Sequence, residues 1–188
     1  VIGEQSQGIF ERGVLDPLVS EPFGVYFGLS MVFDARLLMM LPSGQRGVDT
    51  YSFSRELAHD RWVYFLATNF GRTSLLPQTL IDYRQHDEQS FGAHHVSLRR
   101  RFLNKVSEGA PRLEALGAAA RARAALVREQ APSREVSVPE LGLWRTVADR
   151  YHRIAKLYED RAALYRSRSP RQRAGLVVSL ARAGAYRE

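Results

Sequence analysis

The chain has 188 residues, long enough for one domain with a real core plus an appendage. It has no cysteine, which excludes a disulfide framework, a thiolate metal site and a thiol nucleophile. No run of about 18 apolar residues occurs and the first residues form neither a basic nor an apolar leader, so a soluble, unexported, cytoplasmic protein is expected. The abrupt start at Val1, without Met or motif, is expected of a piece of a longer protein.

The formal charge of +7 is unevenly spread. Residues 1–95 carry 7 Arg/Lys against 11 Asp/Glu, a balance of −4, and residues 96–188 carry 20 against 9, a balance of +11. Such asymmetry suits a surface that meets phosphates or anionic lipid. Only 2 of the 27 basic residues are lysine, so the arginine excess equally fits a compositional bias.

Residues 1–58 are punctuated by Gly and Pro, and short apolar runs such as Phe23–Leu29 and Met31–Phe33 suit strands and short helices. From Asp60 the pattern turns helical, with Trp62, Val63, Phe65, Leu66 and Phe70 as the apolar face and Gly71 as the stop. Thr73–Leu76 and Leu80–Tyr83 read as short extended segments around Pro77-Gln78. Beyond about Val96, Ala, Arg and Leu dominate and the chain becomes a helical tail. Leu98, Phe102 and Val106 fit one helix, and Leu113, Leu116, Ala120, Ala124 and Val127 a second, ending before Pro132-Ser133. Ser137 and Glu140 have capping-box spacing ahead of an aromatic stripe from Trp144 to Tyr165, the strongest periodicity in the chain. Ser169, Pro170 and Gln172 open a last helix by the same logic, and Gly184 would end it. The expected division is therefore 1–95, mixed α/β, and 96–188, a basic helical extension.

The stretch that carries chemistry is His59-Asp60-Arg61-Trp62, about twenty residues, then Leu80-Ile81-Asp82-Tyr83-Arg84-Gln85-His86 and Phe91-Gly92-Ala93. Upstream lie Gly28-Leu29-Ser30-Met31-Val32-Phe33 and the run Leu37–Pro42; downstream lie Leu164-Tyr165-Arg166 and Ala185-Tyr186-Arg187. In order and spacing these segments resemble the C-terminal part of bacterial family 2 glycosyltransferases, particularly rhamnosyltransferase-like members that build surface polysaccharides. The resemblance spans the chain from about Glu21 onward. It implies a partial, acceptor-side GT-A fold followed by the basic helical tail. It also implies inverting transfer of a sugar, with rhamnose as the candidate, from a nucleotide-sugar donor to a cell-envelope glycan or lipid-linked acceptor.

Glycosyl transfer with inversion needs a base beside the acceptor hydroxyl, opposite the departing nucleotide. The resemblance gives that role to Asp60; the residue by itself reads as a helix N-cap. His59, Trp62, Arg84 and Gly28 are the substrate-binding candidates. Trp62 could stack on a sugar or fill the core, and Arg84 could fork onto a diphosphate or stay solvated. His86 is implied as a ligand of a divalent cation, Mg or Mn, that offsets diphosphate charge; by itself it reads as a histidine bonded to a neighbouring loop. His94-His95 read as a solvated pair. Arg61 stands where the relatives carry an aromatic residue.

The sequence has no Asp-x-Asp and no strand-helix units suited to holding a nucleoside diphosphate, and neither Asp34 nor Asp49 supplies the pair. The 188 residues alone are expected to shape an acceptor site without binding donor, and so to be inactive. The tail suits peripheral contact with an anionic membrane face, whereas its aromatic stripe suits an internal or homo-oligomer seam. A non-catalytic binding or oligomerisation module on a degenerate transferase is the alternative. No nucleic-acid motif is present, and the aromatic residues follow core periodicity.

Overall fold

The computed structural model describes residues 13–26, 28–50, 55–76, 78, 98–131 and 138–182, without the side chains of 29, 98–108 and 138–141. Among these residues the protein is a mostly helical mixed α/β chain. Helices α1 (His59–Phe70), α2 (Leu98–Gln130), α3 (Val138–Arg166) and α4 (Pro170–Arg182) accompany strands β1 (Gly13–Leu15) and β2 (Thr73–Leu75).

Helix α1 has no Gly or Pro along its length, and Trp62, Val63, Tyr64, Phe65 and Leu66 are buried in succession. Five consecutive buried residues exceed one helical face, so α1 is an inner helix covered on several sides. Near its end Thr68 Oγ1 donates to the Tyr64 carbonyl at 2.7 Å and Asn69 Nδ2 to the Phe65 carbonyl at 2.7 Å. These bonds satisfy polar groups that burial would otherwise strand. Gly71 then leaves the helix in extended backbone, as its sequence position predicts.

The chain passes at once into β2, which pairs antiparallel with β1 in the register Gly13–Leu75, Val14–Ser74 and Leu15–Thr73. Among the described residues this two-stranded sheet is the whole sheet structure apart from one Val48–Glu56 bridge. The expected α/β character is thus present in coarse form, and no GT-A sheet is seen in the described residues. The second extended segment, Leu80–Tyr83, lies outside them. Between β1 and α1 the chain forms short 3-10 turns at Gly28–Ser30, Ala35–Met39 and Ser43–Gln45. Short apolar runs broken by Gly and Pro cannot sustain longer helices.

The tail is helical as expected. Its first helix is broken at Gly109, where φ is 20° and ψ −130°, two residues before Pro111. A conformation that a β-carbon disfavours, followed by a residue that cannot donate, splits α2 into the two helices that the periodicity predicts. In α3 the stripe Trp144, Val147, Ala148, Tyr151, Ala155 and Ala162 is buried, while Tyr165 at its end is 62% exposed. This stripe is an internal seam, packed chiefly against α2 and also against α1.

One apolar cluster joins Leu41, Leu57, Trp62, Phe65 and Leu66 to Ala120, Val127, Trp144, Val147 and Tyr151. The compositional boundary at 95/96 falls outside the described residues, and the core draws on both sides of it. Ser137 and Gly184 also lie outside them. At α4, Ser169 Oγ accepts from the Gln172 N–H at 3.4 Å, as a cap should. The Gln172 side chain instead accepts from Ser167 Oγ at 3.1 Å, so the box is not reciprocal.

Candidate functional site: the first turn of helix α1

Helix α1 begins one residue earlier than the sequence pattern indicates, with Ala58 as its N-cap and no side-chain cap bond. Asp60 is therefore not the cap but the second helical residue. Its Oδ1 accepts from the backbone N–H of Arg61 at 2.7 Å. Among the described residues Oδ2 takes no hydrogen bond, and the side chain is half-buried. The first-turn N–H groups favour a carboxylate here. The exposed imidazole of His59 precedes it.

Gly28 faces this turn. A β-carbon at residue 28 would lie 3.3 Å from His59 Nε2 and 3.7 Å from Asp60 Cβ. Gly28 thus meets two candidates that lie 31 and 32 residues further along the chain, the adjacent His59 and Asp60, and the absent side chain leaves room beside Asp60. Arg61 turns the other way. Its guanidinium lies 3.5 Å from Asp49 Oδ2 and donates to Thr50 Oγ1 at 3.4 Å, and both partners are buried. Arg61 therefore ties the α1 start to the segment Asp49-Thr50. Residues 47–49 in turn pair with residues 55–57, through Asp49 N–H to Arg55 O at 2.8 Å and Leu57 N–H to Gly47 O at 2.9 Å.

Trp62 is a core residue. It is 2% exposed and stacks on Phe65 with centroids 5.4 Å apart and planes 29° apart, which leaves no ring face for a sugar. The substrate-stacking expectation for Trp62 is corrected on that ground, since the second turn of α1 points inward. Arg84, His86 and His94-His95 lie outside the described residues. Among the described residues no group of three or more His, Cys, Asp or Glu is disposed to hold a metal ion.

The foundation of the site is a network that the sequence reading missed. Three successive carbonyls of the segment before Gly24 are each held by a side chain from a different direction. Ser20 O accepts from Arg150, Glu21 O from the Tyr64 hydroxyl at 2.8 Å, and Pro22 O from both Arg123 and the Tyr151 hydroxyl at 2.9 Å. Arg123 is buried, with its guanidinium 4.8 Å from the Phe23 ring centroid and 4.9 Å from that of Phe65. Burial lowers its pKa, and the neighbouring Tyr151 works in the opposite direction. A weakly hydrated, planar cation sandwiched by rings is the one basic side chain suited to such a place.

Gly24 follows the clamped segment. A β-carbon there would overlap the Tyr64 hydroxyl and sit 2.6 Å from Cζ. Burial pushes the Tyr64 phenol up to about 12. The clamp thus fixes the chain that leads to Gly28 against the helix that presents Asp60. One signal for it was legible: Arg123 falls on the Ala120, Ala124, Val127 stripe, where a solvated arginine does not belong. No protein-family model, curated protein or solved structure matches the chain.

Proposed function

We propose that the chain is the acceptor side of an inverting glycosyltransferase and that Asp60 is its general base. The observation that supports this reading best is the meeting of Gly28 with His59 and Asp60, because two separately quoted motifs of the resemblance converge on one carboxylate. Asp60 Oδ2 accepts the proton of the acceptor hydroxyl as that oxygen bonds to the anomeric carbon of the donor. The bond from that carbon to the diphosphate breaks, and the nucleoside diphosphate leaves with the electron pair. The proton on Asp60 then passes to solvent. General-base assistance of this kind is worth roughly 10²–10⁴-fold in rate.

His59, exposed at the helix start, serves the acceptor as a hydrogen-bonding partner, and Gly28 keeps the approach open. The sequence has no Asp-x-Asp pair, so the reading assigns donor and cation binding to residues outside these 188, together with Arg84 and His86 on the strength of the resemblance alone. A GT-A fold, a nucleotide-sugar donor such as dTDP-rhamnose, a lipid-linked glycan acceptor and a cytoplasmic setting belong to the same proposal. The alternative is a non-catalytic basic binding or oligomerisation module on a degenerate transferase; the Trp144 to Ala162 part of the α3 stripe is packed within the chain, and Tyr165 is exposed.

The test is a transfer assay on the gene product that carries this sequence, with nucleotide sugars of either anomeric configuration and envelope glycolipid acceptors. Product of inverted configuration is expected. Product of retained configuration, or transfer unaffected by Asp60→Asn, would contradict the role of Asp60.

A further inference from the structure

The outer face of α4 is an exposed surface that carries both apolar and basic side chains. Its inner face is Leu180, 1% exposed, with the half-buried Leu176 beside it. At 3.6 residues per turn, Ala174, Val177, Val178 and Ala181 share the opposite side. Val177 is 44% and Val178 48% exposed. Arg171 and Arg182 border this apolar strip along one edge, while Arg173 lies beside Leu180 and donates from Nε to the Ser167 carbonyl at 2.7 Å. Arg173 also lines a cavity of about 620 Å³ with Leu113, Arg161, Leu164 and Tyr165.

From 161 to 182 the sequence has six arginines and no Asp or Glu. An apolar strip edged by arginine matches the boundary of an anionic bilayer, where valines enter the acyl edge and guanidinium groups meet lipid phosphates. A second copy of the chain would bring the same positive charge to the contact and repel it. A nucleic acid would leave the valines without a partner. We infer that α4 docks the protein onto an anionic membrane surface through Val177 and Val178, with Arg171 and Arg182 on lipid phosphates. This docking does not depend on Asp60 being a base.

Flotation of the whole chain with phosphatidylcholine vesicles, with and without phosphatidylglycerol, tests it. Binding is expected only with phosphatidylglycerol and is expected to weaken as salt rises. The pair Val177→Asp/Val178→Asp is expected to lower binding at least about tenfold. Its circular dichroism should match the parent, because both side chains are already exposed. Arg171→Glu/Arg182→Glu is expected to do the same by charge alone. Equal binding to both vesicle types, or unchanged binding by the valine pair, would overturn the inference. So would a dimer dispersed by that pair in a protein that does not float.

Discussion

The first turn of α1 and the segment Ser20-Glu21-Pro22 are built in opposite ways. In the turn, Asp60 keeps one carboxylate oxygen free of described partners and His59 is exposed. In the segment, three carbonyls in a row are each satisfied by a side chain from α1, α2 or α3. The difference teaches how a short helix can carry chemistry: its start is left open while the residues after it, and the chain crossing it, are overdetermined. If Asp60 is the base, such a frame leaves it little freedom to lose when substrate arrives.

The frame breaks most severely at Phe65. Its ring is fully buried between Trp62, Tyr151 and Arg123, so Phe65→Ala is expected to cost about 3–5 kcal/mol by chemical denaturation. Arg123→Ala follows at about 2–3 kcal/mol, because it empties the space between two rings and takes a charged donor from Pro22 O. Tyr151→Phe removes a hydroxyl that donates to the same carbonyl and accepts long bonds from Asn69 at 3.3 Å and Arg123 at 3.5 Å, and should cost about 1 kcal/mol. If Tyr151→Phe proved as costly as Arg123→Ala, the cation would not be the keystone of the clamp.

Two smaller effects sharpen the comparison. The Tyr64 phenol is raised from 10 to about 12, chiefly by burial, so its neutral form is the one the fold favours. Its contribution is fully present below pH 10 and is lost as pH rises through about 12. Melting temperature should therefore fall across that window, and less steeply in Tyr64→Phe. Gly28→Ala should change stability by less than about 0.5 kcal/mol, since its nearest neighbour is the movable tip of His59. If Asp60 is the base, the same change should still slow transfer, because the new methyl group fills the approach to the carboxylate.

The helical tail was largely legible in the sequence because long amphipathic helices repeat their signal. The Leu98–Val106 and Leu113–Val127 patterns predicted the break that Gly109 makes, and the Trp144–Tyr165 stripe became the seam of α3. The first half was legible only in its punctuation. Nothing in the spacing of Ser20, Glu21 and Pro22 reveals that their carbonyls meet Arg150, Tyr64, Arg123 and Tyr151, since those bonds span between 43 and 130 residues. Trp62 misled because a helical aromatic beside a candidate base fits a sugar platform and a core equally well; only the inward turn of α1 decides. Asp60 and Gly28 were legible as motifs, while their meeting is a property of the fold.

The most direct measurement compares Asp60→Asn with the parent in single-turnover transfer by the gene product that carries this sequence, alongside melting temperature and acceptor binding. The side chains are nearly isosteric, so the fold and the acceptor affinity should persist while transfer falls by about 10²–10⁴-fold. An Asp60→Asn protein that folds, binds acceptor and transfers sugar at the parental rate would contradict the account at its centre.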